Sequence, residues 1–108
     1  MSAGNFDNNF VLYLKAYTMK KFIIERKLPG AGDLTTEELK AISKASVKII
    51  TEMGKNYSWI QSFVTEDKIY CVHIAENKED IRQHAKCGNF PINTIEEIKF
   101  VIDPSTAS

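Results

Sequence analysis

The sequence predicts an α+β protein of the ferredoxin-like order βαββαβ, with two helices covering one face of a four-stranded antiparallel sheet. Two observations carry this prediction. Two segments repeat apolar residues at helical spacing, and each begins at a capping residue and stops at a glycine. Four other segments alternate their side chains between two faces, as strands do. We also predict the dimeric α/β-barrel type of this fold, in which a second copy closes on the sheet.

The first half of the predicted domain is a strand, a helix and a strand. Residues 20–28 form the first strand. Thr35 begins the helix as its N-cap, because Glu38 stands three positions later and completes a capping box. Gly54 ends that helix. Residues 57–65 form the second strand.

The second half is a strand, a helix and a strand. Residues 68–75 return antiparallel as the hairpin partner of the second strand. Asn77 caps the second helix, which runs to about Cys87 and is stopped by Gly88. The last strand is predicted over residues 94–103, before a proline.

Strand alternation predicts the face on which each side chain lies. On the helix-covered face we expect the more uniformly apolar set: Phe22, Ile24, Ile60, Val64, Tyr70, Val72, Ile74, Ile98, Phe100 and Ile102. On the open face we expect Ile23, Glu25, Trp59, Gln61, Phe63, Cys71, His73, Lys99 and Val101. That mixture is too apolar for water and too polar for a dry core, which predicts closure against a second subunit or around a ligand.

Composition narrows the class of function. The 108 residues suit one domain, and 44% hydrophobic with 26% charged residues is typical of a globular chain. Fourteen basic and fourteen acidic residues give no net charge, which argues against nucleic acid or an acidic membrane as a partner. No secretion signal is visible and the two cysteines are predicted to be free thiols, so we expect a cytoplasmic protein. Residues 1–18 are predicted to be a leader outside the single domain 19–108.

His84 is the first candidate site residue. It lies in H-A-K-C-G-N-F-P (84–91), where Cys87 follows on roughly the same helical face. The alternative is a structural histidine that interacts favourably with the C-terminal end of the helix dipole.

Further candidates lie on the predicted open face. Cys71 and His73 are two residues apart and point the same way, although two ligands alone are a weak metal signal. Glu25 is an acid among apolar neighbours and needs a partner, either a ligand or a basic residue such as Lys99. The predicted ligand pocket is Glu25, Trp59, Gln61, Phe63, Cys71 and His73.

Four segments resemble a bacterial domain-of-unknown-function family of small ferredoxin-like α+β proteins. They are K-F-I-I-E-R-K-L-P-G (21–30), W-I-Q-S-F-V-T-E-D-K-I-Y-C-V (59–72), H-A-K-C-G-N-F-P (84–91) and V-I-D-P (101–104). One described branch of that family is nickel-binding and nickel-responsive. The resemblance implies a homodimer and a nickel site.

Two functions are then open, besides a structural or regulatory dimer that binds no ligand. The first is a homodimeric binding protein for a divalent transition metal, nickel being the first candidate, or for a small ligand, without turnover. Its predicted metal ligands are His84, Glu25 and Cys71. The alternative is a dimeric α/β-barrel enzyme, of the cofactor-independent oxygenase or isomerase type, acting on a small aromatic compound. There His84 or Glu25 would be the general base, and Trp59 and Phe63 would clamp the substrate.

Overall fold

The computed structural model describes residues 19–108, and its strands and helices follow the predicted order. The strands are β1 (Lys20–Lys27), β2 (Tyr57–Val64), β3 (Lys68–Ala75) and β4 (Thr94–Glu97). The helices are α1 (Thr36–Met53) and α2 (Lys78–Gly88), with short 3-10 helices at Ala31–Asp33 and Pro104–Ala107. All strand pairs are antiparallel, in the order β2-β3-β1-β4. The α+β class and the βαββαβ order are confirmed, while the predicted leader 1–18 lies outside the described residues.

Local chemistry sets the helix ends. The Thr35 hydroxyl accepts the Glu38 backbone N–H at 3.1 Å, and the Glu38 carboxylate accepts the Thr35 N–H at 3.0 Å, which is the predicted capping box. Gly54 follows α1 with a left-handed φ of 64°. The predicted stop of α2 is off by one residue, because Asn89, at φ 54°, makes the left-handed turn. Gly88 is the last helical residue, and any side chain there would collide with the ring of Phe90.

Cys71 and His73 lie on the helix-covered face, so their predicted placement on the open face was wrong. Cys71 pairs with Ile24 and His73 with Phe22 across β3 and β1, which puts all four side chains on one side of the sheet. All four are buried. Both faces of β3 carry apolar residues, so alternation alone could not decide which face the helices cover.

Trp59 also lies on the helix-covered face, contrary to prediction, because β2 contains an irregularity. Trp59 pairs with His73, and the register then shifts before Gln61 pairs. The extra residue is Ile60, which is exposed instead of covered. Such a bulge inverts the alternation, so Gln61 and Phe63 do lie on the open face as predicted.

Strand β4 ends at Glu97, six residues before the predicted end at Asp103. Ile98 N–H still donates to the Lys21 carbonyl at 2.7 Å, but β1 begins one residue before Lys21. Beyond Ile98 the chain has no strand of the described residues left to pair with. The side chains that were expected on the two faces of this strand are exposed instead: Phe100 88%, Val101 70% and Ile102 77%.

Neither helix of residues 19–108 is long and apolar enough to cross a membrane. The helices pack on the face of the sheet that carries the buried residues of β1 and β3. The described core is Phe22, Ile24, Ala31, Tyr57, Ile69, Cys71, Ala75, Ile81 and Ile95.

Candidate functional site

A cavity of about 440 Å³ lies between the sheet and the two helices. That volume is within the range of small-molecule sites. Most of its wall is apolar, with contributions from Leu28, Leu39, Ile42, Ile69 and Phe90. Its polar side chains include five that are buried: Arg26, Ser46, Cys71, His73 and His84.

The two histidines of the chain meet in this cavity. His73 comes from β3 and His84 from α2, and their ring centroids are 5.3 Å apart at an interplanar angle of 76°. The ring of Tyr57 stacks on His84 at 5.3 Å and meets the edge of His73 at 5.2 Å. Phe90 packs on His84 with centroids 5.4 Å apart. Aromatic rings therefore hold both imidazoles in fixed orientations.

His73 is neutral at physiological pH. Burial lowers its pKa to about 3, with smaller contributions from His84 and Arg26. Burial also raises the pKa of Tyr57, so the phenol stays protonated. The Tyr57 hydroxyl and Nδ1 of His73 are 2.5 Å apart and share a hydrogen bond, in which the phenol donates when the imidazole proton lies on Nε2.

His84 has one ring nitrogen that the described residues leave without a partner. Nε2 is 3.0 Å from the Ser46 hydroxyl, whereas Nδ1 is fully buried and has no hydrogen bond. Burial and the charge of Arg26 lower the pKa of His84 to about 4, against an opposing hydrogen bond with Ser46. A buried polar atom without a partner is costly and uncommon, which makes His84 a candidate functional residue of this cavity.

Arg26 brings a positive charge into the cavity wall. It is only 5% exposed. Its Nε donates to Cys71 Sγ at 3.4 Å, its Nη1 donates to the Pro91 carbonyl at 2.8 Å, and its Cζ is 5.6 Å from the centroid of Phe90. Among residues 19–108 no carboxylate forms a salt bridge with it.

Cys71 is the end of a directed chain of hydrogen bonds. The indole N–H of Trp59 donates to the Ser62 hydroxyl at 2.9 Å, and that hydroxyl donates to Cys71 Sγ at 3.0 Å. With the bond from Arg26, the sulfur accepts two hydrogen bonds. These bonds fix the position of the thiol in the cavity wall, while Cys87, the other cysteine, is exposed on α2.

The structure brings together some of the predicted site residues and separates others. His84, Cys71, His73 and Trp59 line the cavity. Glu25, Gln61 and Phe63 lie on the other side of the sheet.

Glu25, the acid that was expected to join the site, forms a salt bridge with a basic residue on the open face. Glu25 Oε2 is 3.0 Å from Lys68 Nζ, and this contact raises the pKa of Lys68. Lys99, which we had considered as that partner, lies 3.1 Å from Glu97 instead.

The predicted metal ligands therefore do not converge within one chain. His84 and Cys71 share the cavity, whereas Glu25 is on the opposite face. The described residues contain no group of three or more His, Cys, Asp or Glu side chains placed to hold a metal ion. The guanidinium of Arg26, which donates to Cys71, also makes this side of the cavity unfavourable for a cation.

Sequence reasoning missed several residues of the site: Arg26, Ser46, Tyr57, Ser62 and Phe90. For two of them a signal was visible. Arg26 is in phase with Phe22 and Ile24 along β1, so a charged residue stands where the alternation predicts burial. Ser46 stands in the apolar stripe of α1, where a small hydroxyl needs a partner.

The chain is similar to a known protein family and to a solved structure. The family model described as "Nickel responsive protein SCO4226-like" matches residues 22–98. The chain belongs to this family. No curated protein matches it. The crystal structure of SCO4226 from Streptomyces coelicolor A3(2) is similar, with a TM-score of 0.65 and 15% identity over 76% of this chain and 99% of that chain. At that identity the likeness shows the shared fold alone.

Proposed function

We propose that this member of the family is a small homodimeric, cytoplasmic binding protein that holds a small ligand in the cavity beneath its helices, without catalytic turnover. The observation that supports this most is the cavity itself. It combines a largely apolar wall with a small number of oriented polar groups, which is the pattern of small-molecule sites. His84 adds a buried nitrogen that a ligand could satisfy.

A nickel ion is the second candidate ligand, and the family description favours it. Neutral imidazole nitrogen is a suitable ligand for nickel, and His84 is neutral at pH 7 with Nδ1 unpartnered among the described residues. One copy of residues 19–108 does not supply three donors, so further ligands would come from outside these residues, for example from a second copy.

Homodimer formation is supported by apolar surface that the described residues leave uncovered. The segment after β4 exposes three successive large apolar side chains, at positions 100–102. Phe63, on the open face, is 51% exposed. Exposed large apolar side chains are common at interfaces, and a chain without net charge does not repel its own copies. We therefore propose that a second copy closes on the open face of the sheet, as in the dimeric α/β-barrel type.

Calorimetric titration of nickel separates the two ligand candidates. The full chain is purified without a histidine tag, so that its two histidines are the only ones present. If nickel is the ligand, the wild type binds it and His84→Ala loses binding by at least about tenfold, the loss of affinity reported for disturbed metal sites. Cys87→Ala is the matched control on the exposed side of α2 and should bind as the wild type does.

The same titration can refute nickel as the ligand. Equal binding by wild type and His84→Ala would place nickel elsewhere, and no binding by the wild type would remove it as a ligand. Affinity should also fall as the pH drops, because a ligating nitrogen must be unprotonated.

A further inference from the structure

Arg26 introduces a charge into the cavity wall that the described residues do not neutralise. The guanidinium has five N–H donors. Two hydrogen bonds are made, to Cys71 Sγ and to the Pro91 carbonyl, which leaves three donors without a protein acceptor among residues 19–108. A buried charge that lacks a countercharge is unfavourable, so a bound anion would stabilise this site.

No other cationic group lines the cavity within the described residues. His73 and His84 are neutral at pH 7 because their pKa values are lowered to about 3 and about 4. No lysine and no further arginine contributes to the wall. The site therefore carries a single positive charge, which matches a singly charged anion better than a doubly charged one such as a phosphate monoester.

The geometry of the Arg26 guanidinium and the character of the cavity walls narrow the chemical class of the anion further. A guanidinium presents parallel N–H groups in a plane, which suits the two oxygens of a carboxylate. Phe90 lies against the guanidinium on one side, and the rest of the wall is mostly aliphatic and aromatic. Such a wall accommodates the apolar body of a ligand whose polar end is at Arg26.

We propose that the cavity binds a small organic monocarboxylate with an apolar body, its carboxylate at Arg26. This rests on the proposed ligand-binding function and names the chemical class of the ligand. The His73 and His84 rings lie within the same cavity and would flank the bound molecule.

The test uses the one tryptophan of the chain as a reporter, because Trp59 lines this cavity. The full chain is titrated at pH 7 with benzoate and hexanoate, and separately with benzamide and hexanamide, while tryptophan fluorescence is recorded. Each amide keeps the size and the apolar body of its acid but carries no charge. We expect at least one carboxylate to bind at least about tenfold more tightly than its amide, since a hydrogen bond to a charged group is worth about that factor or more.

Variants on strand β1 assign the effect to Arg26. Arg26→Gln removes the charge and should reduce carboxylate affinity at least about tenfold, while leaving amide binding nearly unchanged. Arg26→Lys restores the charge without the planar fork and should recover part of the affinity. Lys27→Gln removes the same charge from the adjacent, exposed position and should bind as the wild type does. Thermal unfolding of each variant identifies any that fail to fold, in which case the wild-type preference for acid over amide decides alone.

The outcomes separate this proposal from the one on which it rests. Equal affinity for acids and amides would overturn the carboxylate assignment and leave a neutral ligand in the cavity. Wild-type preference for acids that survives in folded Arg26→Gln would also overturn it, because the charge would then be recognised elsewhere. Absence of any fluorescence change with all four compounds would overturn both the carboxylate and the cavity as an organic ligand site.

Discussion

Acidification from pH 7 to pH 5 should destabilise this protein through its two buried histidines. Their pKa values are about 3 for His73 and about 4 for His84 in the folded chain, against 6.5 for an unperturbed histidine. Between pH 6.5 and these values, the unfolded chain binds protons that the folded chain does not. The stability that the neutral histidines contribute is thus fully present above pH 6.5 and is lost as the pH falls towards their folded pKa values.

The size of this loss of stability follows from the same pKa values. Between pH 7 and pH 5 each histidine should lower the free energy of unfolding by about 2 kcal/mol, so the pair lowers it by about 4 kcal/mol. That is a large share of the roughly 5–15 kcal/mol by which a domain is stable. The rings are 5.3 Å apart, so protonation of one opposes protonation of the other and the two contributions are coupled.

Urea denaturation at the two pH values measures this effect in the wild type, His73→Gln and His84→Gln. Each variant should lose about 2 kcal/mol less than the wild type on acidification. Carboxylates that titrate near pH 5 affect all chains alike and cancel in this comparison. Gln83→Ala, at an exposed position beside His84, is the control and should follow the wild type.

An equal loss of stability between pH 7 and pH 5 in the wild type and both histidine variants would contradict this prediction. NMR titration of the two imidazole rings in the folded wild type gives an independent answer that needs no variant. Ring signals that titrate near pH 6.5 would show that burial does not hold the histidines neutral. Signals that stay unchanged down to pH 5 agree with the lowered pKa values.

Two further predictions concern the parts of the chain outside the cavity. Light scattering should show a dimer at micromolar concentration, and a wild-type monomer would contradict the proposed dimer. Phe100→Asp should shift the equilibrium towards monomer, because a buried charge would replace an apolar contact. A chain that begins at Met19 should melt cooperatively within about a few degrees of the full chain, since the sheet and both helices lie within residues 20–97; aggregation would show that residues 1–18 belong to the core or the interface.

The helices could be predicted from the sequence because their ends depend on neighbouring residues. Thr35 and Glu38 are three positions apart and satisfy each other's backbone groups, whatever the rest of the chain does. Asn77 caps α2 in the same local way. The one error, at Gly88, arose because that glycine accommodates the ring of Phe90 and does not itself make the turn.

The faces of the strands were harder to predict, because they depend on pairing between distant segments. The shift at Ile60 moves Trp59 to the side of His73, and nothing in residues 57–64 marks that position. The end of β4 depends on where β1 begins, about 75 residues earlier in the chain. A continuous apolar pattern after Glu97 predicts a strand, but a strand needs a partner, and the described residues supply none.

The site depends on such distant pairing even more than the strands do. Arg26 could be recognised as a charged residue at a strand position that the alternation predicts to be buried. Its hydrogen-bond acceptors could not, because Cys71 and Pro91 are 45 and 65 residues away in the chain. Three of the four segments that carry the family resemblance, 21–30, 59–72 and 84–91, meet around one cavity. Their sequence pattern indicated that these segments belong together without showing which face they share. The register of β3 against β1 decides that, and it places Cys71 and His73 on the same side of the sheet as Arg26 instead of on the open face with Glu25.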